Sequence, residues 1–223
     1  MKQKDSKDWS RELQTWELFI QLYKFSFVNR RHREAKNDGT MQIDVGLTKS
    51  TDSQLVDKLL LQNGLLMEKV IVKMWLEGCF HCSEQYQVTK SEYEATRLDW
   101  KRIYQDNSFE KNDIDAKIKL KRSLNKIDED YEDKISSITF ELFKCGRIEE
   151  ALEFLEKIGE NVRLTSLKGL FLYSGKESDN DIIGNKNRKI WKKCCLRLSE
   201  EKSISTHERA LYGILSGNLN AVS

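Results

Sequence analysis

Proline is absent from all 223 residues, so the usual helix breaker is missing and glycine and polar clusters are the only punctuation left. Long helices with few kinks follow. No apolar run approaches the ~18–20 residues needed to cross a bilayer, and the opening MKQKDSKDW lacks the apolar core of a signal peptide. A soluble, intracellular chain without membrane insertion is the expectation. The five cysteines are an odd number and no Asn-x-Ser/Thr sequon occurs, which fits free thiols in a reducing compartment better than a disulfide framework. A charge excess is missing as well. The 38 basic side chains nearly cancel the 36 acidic ones, and a net charge of +2 sets up no strong field for nucleic acid or an anionic membrane.

Catalytic chemistry is equally thin. A nucleophile needs a base and an orienter, and the three histidines, His32, His81 and His207, offer few partners. His207 falls inside a helix-capping pattern and reads as a first-turn residue. Cys79, His81 and Cys82 are close together, but a closed zinc site needs four ligands, usually as two spaced doublets, and the second doublet is missing. Cys194 and Cys195 sit on an apolar helix face and would have to turn out of it to help. Gly169 to Gly175-Lys176 is one residue too long for a phosphate loop, with Glu177 where Ser or Thr is needed. The acidic run Asp128-Glu129-Asp130 with Glu132 and Asp133 lacks a calcium loop's glycine and terminal glutamate; acidic residues also favour a helix's positive end. These readings predict no enzyme, no cofactor and no metal.

What is present is helix after helix. From Gly184 to Leu219 two amphipathic segments follow each other. Ile190, Trp191, Cys194, Cys195 and Leu198 recur at the spacing of one helical face, with Asn187 placed to cap and Arg188, Lys189, Lys192, Lys193 and Arg197 left for solvent. Ser205 and Glu208 form a capping box before Ala210, Leu211, Ile214 and Leu215, and Gly217 supplies a left-handed end. Trp191 is expected to be a core anchor joining its helix to those on either side.

Upstream, Trp9, Leu13, Trp16, Ile20, Tyr23 and Phe27 alternate at spacings of four and three, one side of a helix docked on its neighbours or used in a coiled-coil contact. Polar residues with Gly39 and Gly46 then form a linker. Asp52 is placed to cap a region where Val56, Leu59 and Leu60, then after Gly64 the set Met67, Val70, Ile71, Met74 and Trp75, keep helical spacing as one bent helix or two short ones. Ser91 and Glu94 make another capping pattern before Trp100 and Ile103. Further on, Tyr131, Ile135, Ile138, Leu142 and Cys145 line one helix; Ile148, Ala151, Leu152, Leu155 and Ile158 the next; Leu164, Leu167 and Phe171 a third. Connections this short force antiparallel neighbours. No alternating strand with hairpin turns is found. The fold class is therefore all-α, an irregular helical solenoid of stacked antiparallel helices. Its parts are an N-terminal helical region over 1–106, a charged loop over 107–126 and a regular helical-pair array over 127–223.

Asn187, Trp191, Lys192 and Cys194, an acidic break, and then Glu208 to Leu219 (ERALYGILSGNL) resemble the nucleoporin-107 family, whose yeast member is nucleoporin-84. Gly146 to Ala151 (GRIEEA), Gly159 with Arg163 and Leu167-Lys168-Gly169, the Val70 to Glu77 helix and the Trp9/Trp16 pair fall in the family's order, so the resemblance spans nearly the whole chain. It implies a coatomer-related scaffold protein of the Y-shaped subcomplex of the nuclear pore, at the nuclear envelope, supporting transport of mRNA and protein. It also implies a trunk-like 1–106 and a crown-like 127–223. The implied partner is the nucleoporin-96 family member. The family's tail, which binds the nucleoporin-133 family member, lies beyond the matched motifs, and that contact is not expected of this chain.

Phe140, Phe143 and Phe154 lie off the main apolar stripes of their helices. Either neighbouring layers bury them, or they are the central anchors of the partner interface. The rival function is a small helical adaptor binding nucleic acid through Arg30-Arg31-His32-Arg33 and the basic face from Lys186 to Arg197. Steep weakening with salt would mark the rival, whereas a core-like helical interface would barely respond.

Overall fold

The computed structural model describes residues 2–37, 51–82, 86–88, 91, 93–104, 123–174, 184–218 and 220, with side chains of the first helix from 9 to 30. The linker around Gly39 and Gly46 and the charged stretch up to 122 lie outside the described residues, as do Gly175, Lys176 and Glu177. All regular elements among the described residues are α-helices: α1 (Lys2–Asn37), α2 (Asp52–Gln62), α3 (Gly64–Cys79), α4 (Glu94–Tyr104), α5 (Lys126–Lys144), α6 (Ile148–Ile158), α7 (Asn161–Lys168), α8 (Arg188–Glu200) and α9 (Thr206–Ser216). None is long and apolar enough to cross a membrane.

The chain forms two compact units, one from residues 1–81 with 172–183, the other from 82–171 with 184–223. In the first unit α1 packs on α3, running antiparallel to it. The indole Nε1 of Trp75 donates to the carbonyl of Gln14 at 2.7 Å, and a Cβ at Gly64 would meet Asn29 Nδ2 at 2.6 Å. The half-buried face of α1 is thus Gln14, Leu18, Leu22, Phe25 and Asn29. The aromatic stripe read from the sequence points the other way: Trp9, Leu13, Trp16, Ile20, Tyr23 and Phe27 are all exposed, Trp9 to 70%. α1 carries two apolar faces. The helical spacing picks out the aromatic one, but the partner helix, with Gly64 permitting close approach, covers the other.

Between α2 and α3 the chain breaks at Asn63, whose φ and ψ of −113° and 93° are extended and whose side chain accepts from the amide of Leu66. Two helices, not one bent one, result. The cap of α2 is Thr51 rather than Asp52: its hydroxyl accepts from the amide of Gln54 while the Gln54 side chain accepts from the amide of Thr51.

The second unit is built on α5. Tyr131 and Ile135 of α5 join Leu152, Leu155 and Ile158 of α6, Leu164 and Leu167 of α7, Cys195 of α8, and Leu211, Tyr212 and Leu215 of α9 in one buried cluster. A smaller cluster unites Ile138, Leu142 and Ala151. α9 packs on both α8 and α5, while α6 packs on α5 and α7. The stripes expected for α5, α6 and α7 are buried except at Cys145, Ile148 and Phe171, which are half-buried, Cys145 and Phe171 lying just past the ends of α5 and α7. On α8, Cys195 is buried, but Ile190 and Cys194 are exposed. Asn187 occupies the cap position of α8 without a side-chain cap bond.

α4 is held to α5 by a cap from outside its own segment. Asp128 is buried, and its Oδ2 accepts from the amide (2.8 Å) and hydroxyl (2.6 Å) of Thr96, while Oδ1 accepts from Ser91 Oγ at 2.7 Å. Ser91 therefore caps through Tyr93 and Asp128, not through Glu94 as its spacing suggests: its hydroxyl accepts from the amide of Tyr93 at 3.1 Å. An acidic residue in the first turn of α5 serves the amide end of α4, where its charge is favoured.

Candidate protein interface

No group of three or more His, Cys, Asp or Glu side chains that could hold a metal occurs among the described residues. The polar centre of the second unit is structural. Arg163 is buried, and its guanidinium reaches Glu132 of α5, Glu160 at the head of α7 (3.2 Å) and Glu208 of α9 (3.3 Å). Burial alone would push Arg163 down, but the carboxylates of Glu208, Glu132 and Glu160 raise it well above its usual value. Two tyrosines complete the set. Tyr93 donates to Glu132, and Tyr131 donates to Glu160 at 3.3 Å; burial, reinforced by those carboxylates, pushes Tyr93 up, and Tyr131 up to about 12. Glu208 therefore supports its helix in one direction only. Ser205 accepts from its amide at 3.1 Å, but its side chain turns to Arg163 instead of closing the box.

The three phenylalanines lie around this core, each half-buried. Phe140 packs against the main cluster, its ring 5.9 Å from that of His207 on α9, with Lys144 Nζ 5.9 Å from the ring centre. Phe143 and Phe154 touch both clusters. Phe154 also meets Tyr86, ring centres 6.1 Å apart, at a shallow cavity of about 170 Å³ that Arg147, Glu150 and Lys157 help to line. Phe143 and Phe154 share a surface with the small cluster; Phe140 sits toward α9.

Large apolar side chains with greater exposure lie elsewhere. Besides α1, they include Leu61 (81%) on α2, Leu65 (71%) and Met74 (63%) on α3, and Leu98 (64%) and Ile103 (61%) on α4. Arg30 is exposed; the side chains of Arg31 to Arg33 lie outside the described residues.

The sequence model of the family described as Nuclear pore protein 84 / 107 matches residues 6–223. The chain belongs to this family. It is similar to nucleoporin nup107 of Schizosaccharomyces pombe, 29% identical over 96% of the chain and 27% of that protein. Nuclear pore complex protein Nup107 of Drosophila melanogaster is 27% identical over 95% of the chain and 27% of its own length. The human Nup107 is 27% identical over 93% of the chain and 24% of its length. The chain spans about a quarter of the length of the curated relatives it matches.

Two features of the family segment were not readable as such. Apart from the contact of Arg163 with Glu160 three positions away, the Arg163 centre joins residues 29 to 45 positions apart, of which the sequence marks Glu208 only as a cap and Arg163 only as part of the family order. The outward face of α1 reads as core, because an exposed and a buried apolar stripe have the same period.

Proposed function

We propose that this chain is a scaffold segment of the nuclear pore complex, located at the nuclear envelope, that works through helix-mediated contacts with other nucleoporins and performs no catalysis. The family match across residues 6–223 carries this reading. The all-α architecture agrees with a solenoid-like scaffold, in which the 1–106 part is trunk-like and the 127–223 part crown-like, with α4 packed on α5 of the latter. The partner is the nucleoporin-96 family member, engaged through the surface around Phe140, Phe143 and Phe154. Aromatic side chains that are half-buried on a rigid helix pair lose little freedom on docking and concentrate binding energy. Nucleic acid is not a direct partner in this reading, since family membership favours protein contacts over the basic faces.

The test is affinity purification of the tagged chain from its own cells, wild type beside Phe140→Glu and Phe154→Glu. Both changes should abolish recovery of the neighbouring nucleoporin while circular dichroism retains the helical signal. Retained recovery, or collapse of the fold, moves the contact to the outward face of α1, where Trp16→Glu and Ile20→Glu are the matching changes. Loss of the complex on raising salt from low to physiological levels would instead support the nucleic-acid adaptor.

A further inference from the structure

α1 keeps an apolar face on the outside of its unit. The bond from Trp75 to Gln14 and the close approach at Gly64 hold the opposite face against α3, so the rotation of α1 about its own axis is fixed. Trp9, Leu13, Trp16, Ile20 and Tyr23 are then exposed to between 48% and 70%, and Phe19 joins them at 61%, its ring edge-on to that of Trp16 with centroids 6.1 Å apart. Exposed apolar side chains scattered singly are ordinary, but these lie along one stripe. At ~150–250 Å² per aromatic side chain, the uncovered parts of Trp9, Trp16, Phe19 and Tyr23 come to roughly 500 Å² on one copy. Two copies face to face bury about 1,000 Å² before Leu13 and Ile20 are counted, which reaches the size of a specific interface.

We propose that this face of α1 binds the same face of a second copy of the chain, the two helices running antiparallel. The spacing of the stripe favours this occupant. Trp9, Leu13, Trp16, Ile20, Tyr23 and Phe27 recur at intervals of four, three, four, three and four, which read the same in both directions, so the stripe is its own complement about a twofold axis. Antiparallel pairing sets Trp16 against Ile20 of the second copy, Leu13 against its Tyr23 and Trp9 against its Phe27, so each tryptophan meets a smaller side chain. Parallel pairing would stack Trp9 on Trp9 and Trp16 on Trp16. The charges beside the stripe choose the same orientation. In a parallel pair Glu12 and Glu17 of opposite copies are neighbours twice over. In the antiparallel pair Glu12 lies beside Ser26 of the second copy and Lys24 beside its Ser10, leaving a single like-charged pair where Glu17 meets its own counterpart near the axis. The contact involves none of Phe140, Phe143 and Phe154, so it stands or falls independently of the nucleoporin contact.

The purified whole chain is followed by sedimentation equilibrium from about 1 to about 200 μM in physiological salt. Wild type should pass from monomer to dimer with no larger species, since a twofold contact closes on itself. Ile20→Glu should stay monomeric at every concentration while circular dichroism keeps the wild-type helical signal. Glu17→Gln removes the like-charged pair without touching the stripe and should tighten the dimer about twofold to fivefold, whereas Glu12→Gln should leave it unchanged. A wild-type chain that stays monomeric throughout assigns this face to a different partner and overturns the proposal. Self-association that Ile20→Glu does not weaken would overturn it too, as would tightening by Glu12→Gln equal to that by Glu17→Gln, the mark of a parallel pair.

Discussion

At the scale of single residues, contact space decides what sequence letters mean. Gly169 has an ordinary helical φ of −60°, so alanine is permitted by its backbone. Its surroundings forbid it. A Cβ there would lie 2.3 Å from Trp191 Nε1, and that same nitrogen donates to Ser166 O at 2.7 Å, fixing the indole in place. Arg188 stands 5.5 Å from the ring. Trp191 is thus half-buried rather than the core residue its stripe suggests, and is docked on the end of α7. Gly169→Ala should cost ~1–3 kcal/mol by overpacking, and Trp191→Ala ~3 kcal/mol. Combined, the two should cost distinctly less than their sum, because the space the alanine needs is then empty. Urea titration of the four proteins measures this coupling, and strict additivity would refute it.

Among elements, the charged centre does what apolar stripes cannot: it fixes which helices meet. Arg163 draws on α5, on the residue heading α7 and on α9 at once, and Asp128 fixes α4 on α5 in the same manner. Helical periodicity read α5, α6 and α7 correctly because each has one apolar face and short connections. It said nothing of the carboxylates, which look like solvent-facing charges until the fold brings them around one guanidinium. Arg163→Ala leaves three carboxylates without their cation in a buried setting and should cost ~3–5 kcal/mol in chemical denaturation. A loss below about 1 kcal/mol would mean that the centre behaves as a surface ion pair.

For the whole molecule, packing is uneven between the two units. Ile71 is the only buried apolar side chain of the first unit among the described residues, whereas the second holds the remainder. Stability should therefore be dominated by the second unit, and its pH response by that unit's buried phenols. Burial, with Glu208 next, pushes Tyr212 up to about 12, as burial and Glu160 do for Tyr131. In the unfolded chain both phenols ionise near pH 10, as tyrosine ordinarily does, and the folded state keeps its protons longer. Stability is then fully present below about pH 10 and falls as pH rises toward about 12. Melting temperature followed across that window should drop, and Tyr212→Phe should flatten the drop while losing the bond to Ser166 Oγ. A profile as steep in Tyr212→Phe as in wild type would contradict the assignment.

By itself the sequence determined helix class, the positions of most helices in the second unit, the left-handed turn at Gly217 (φ 87°) and the family, since these rest on local spacing, capping chemistry and motif order. Tertiary structure alone decided which of α1's two apolar faces is covered, that Asp128 caps α4, that Glu208 turns to Arg163, and how deeply Phe140, Phe143 and Phe154 sit. The reason is physical. A side chain's spacing along its own helix sets the face it occupies, but burial and ion pairing depend on groups tens of residues away that meet it only when the helices pack.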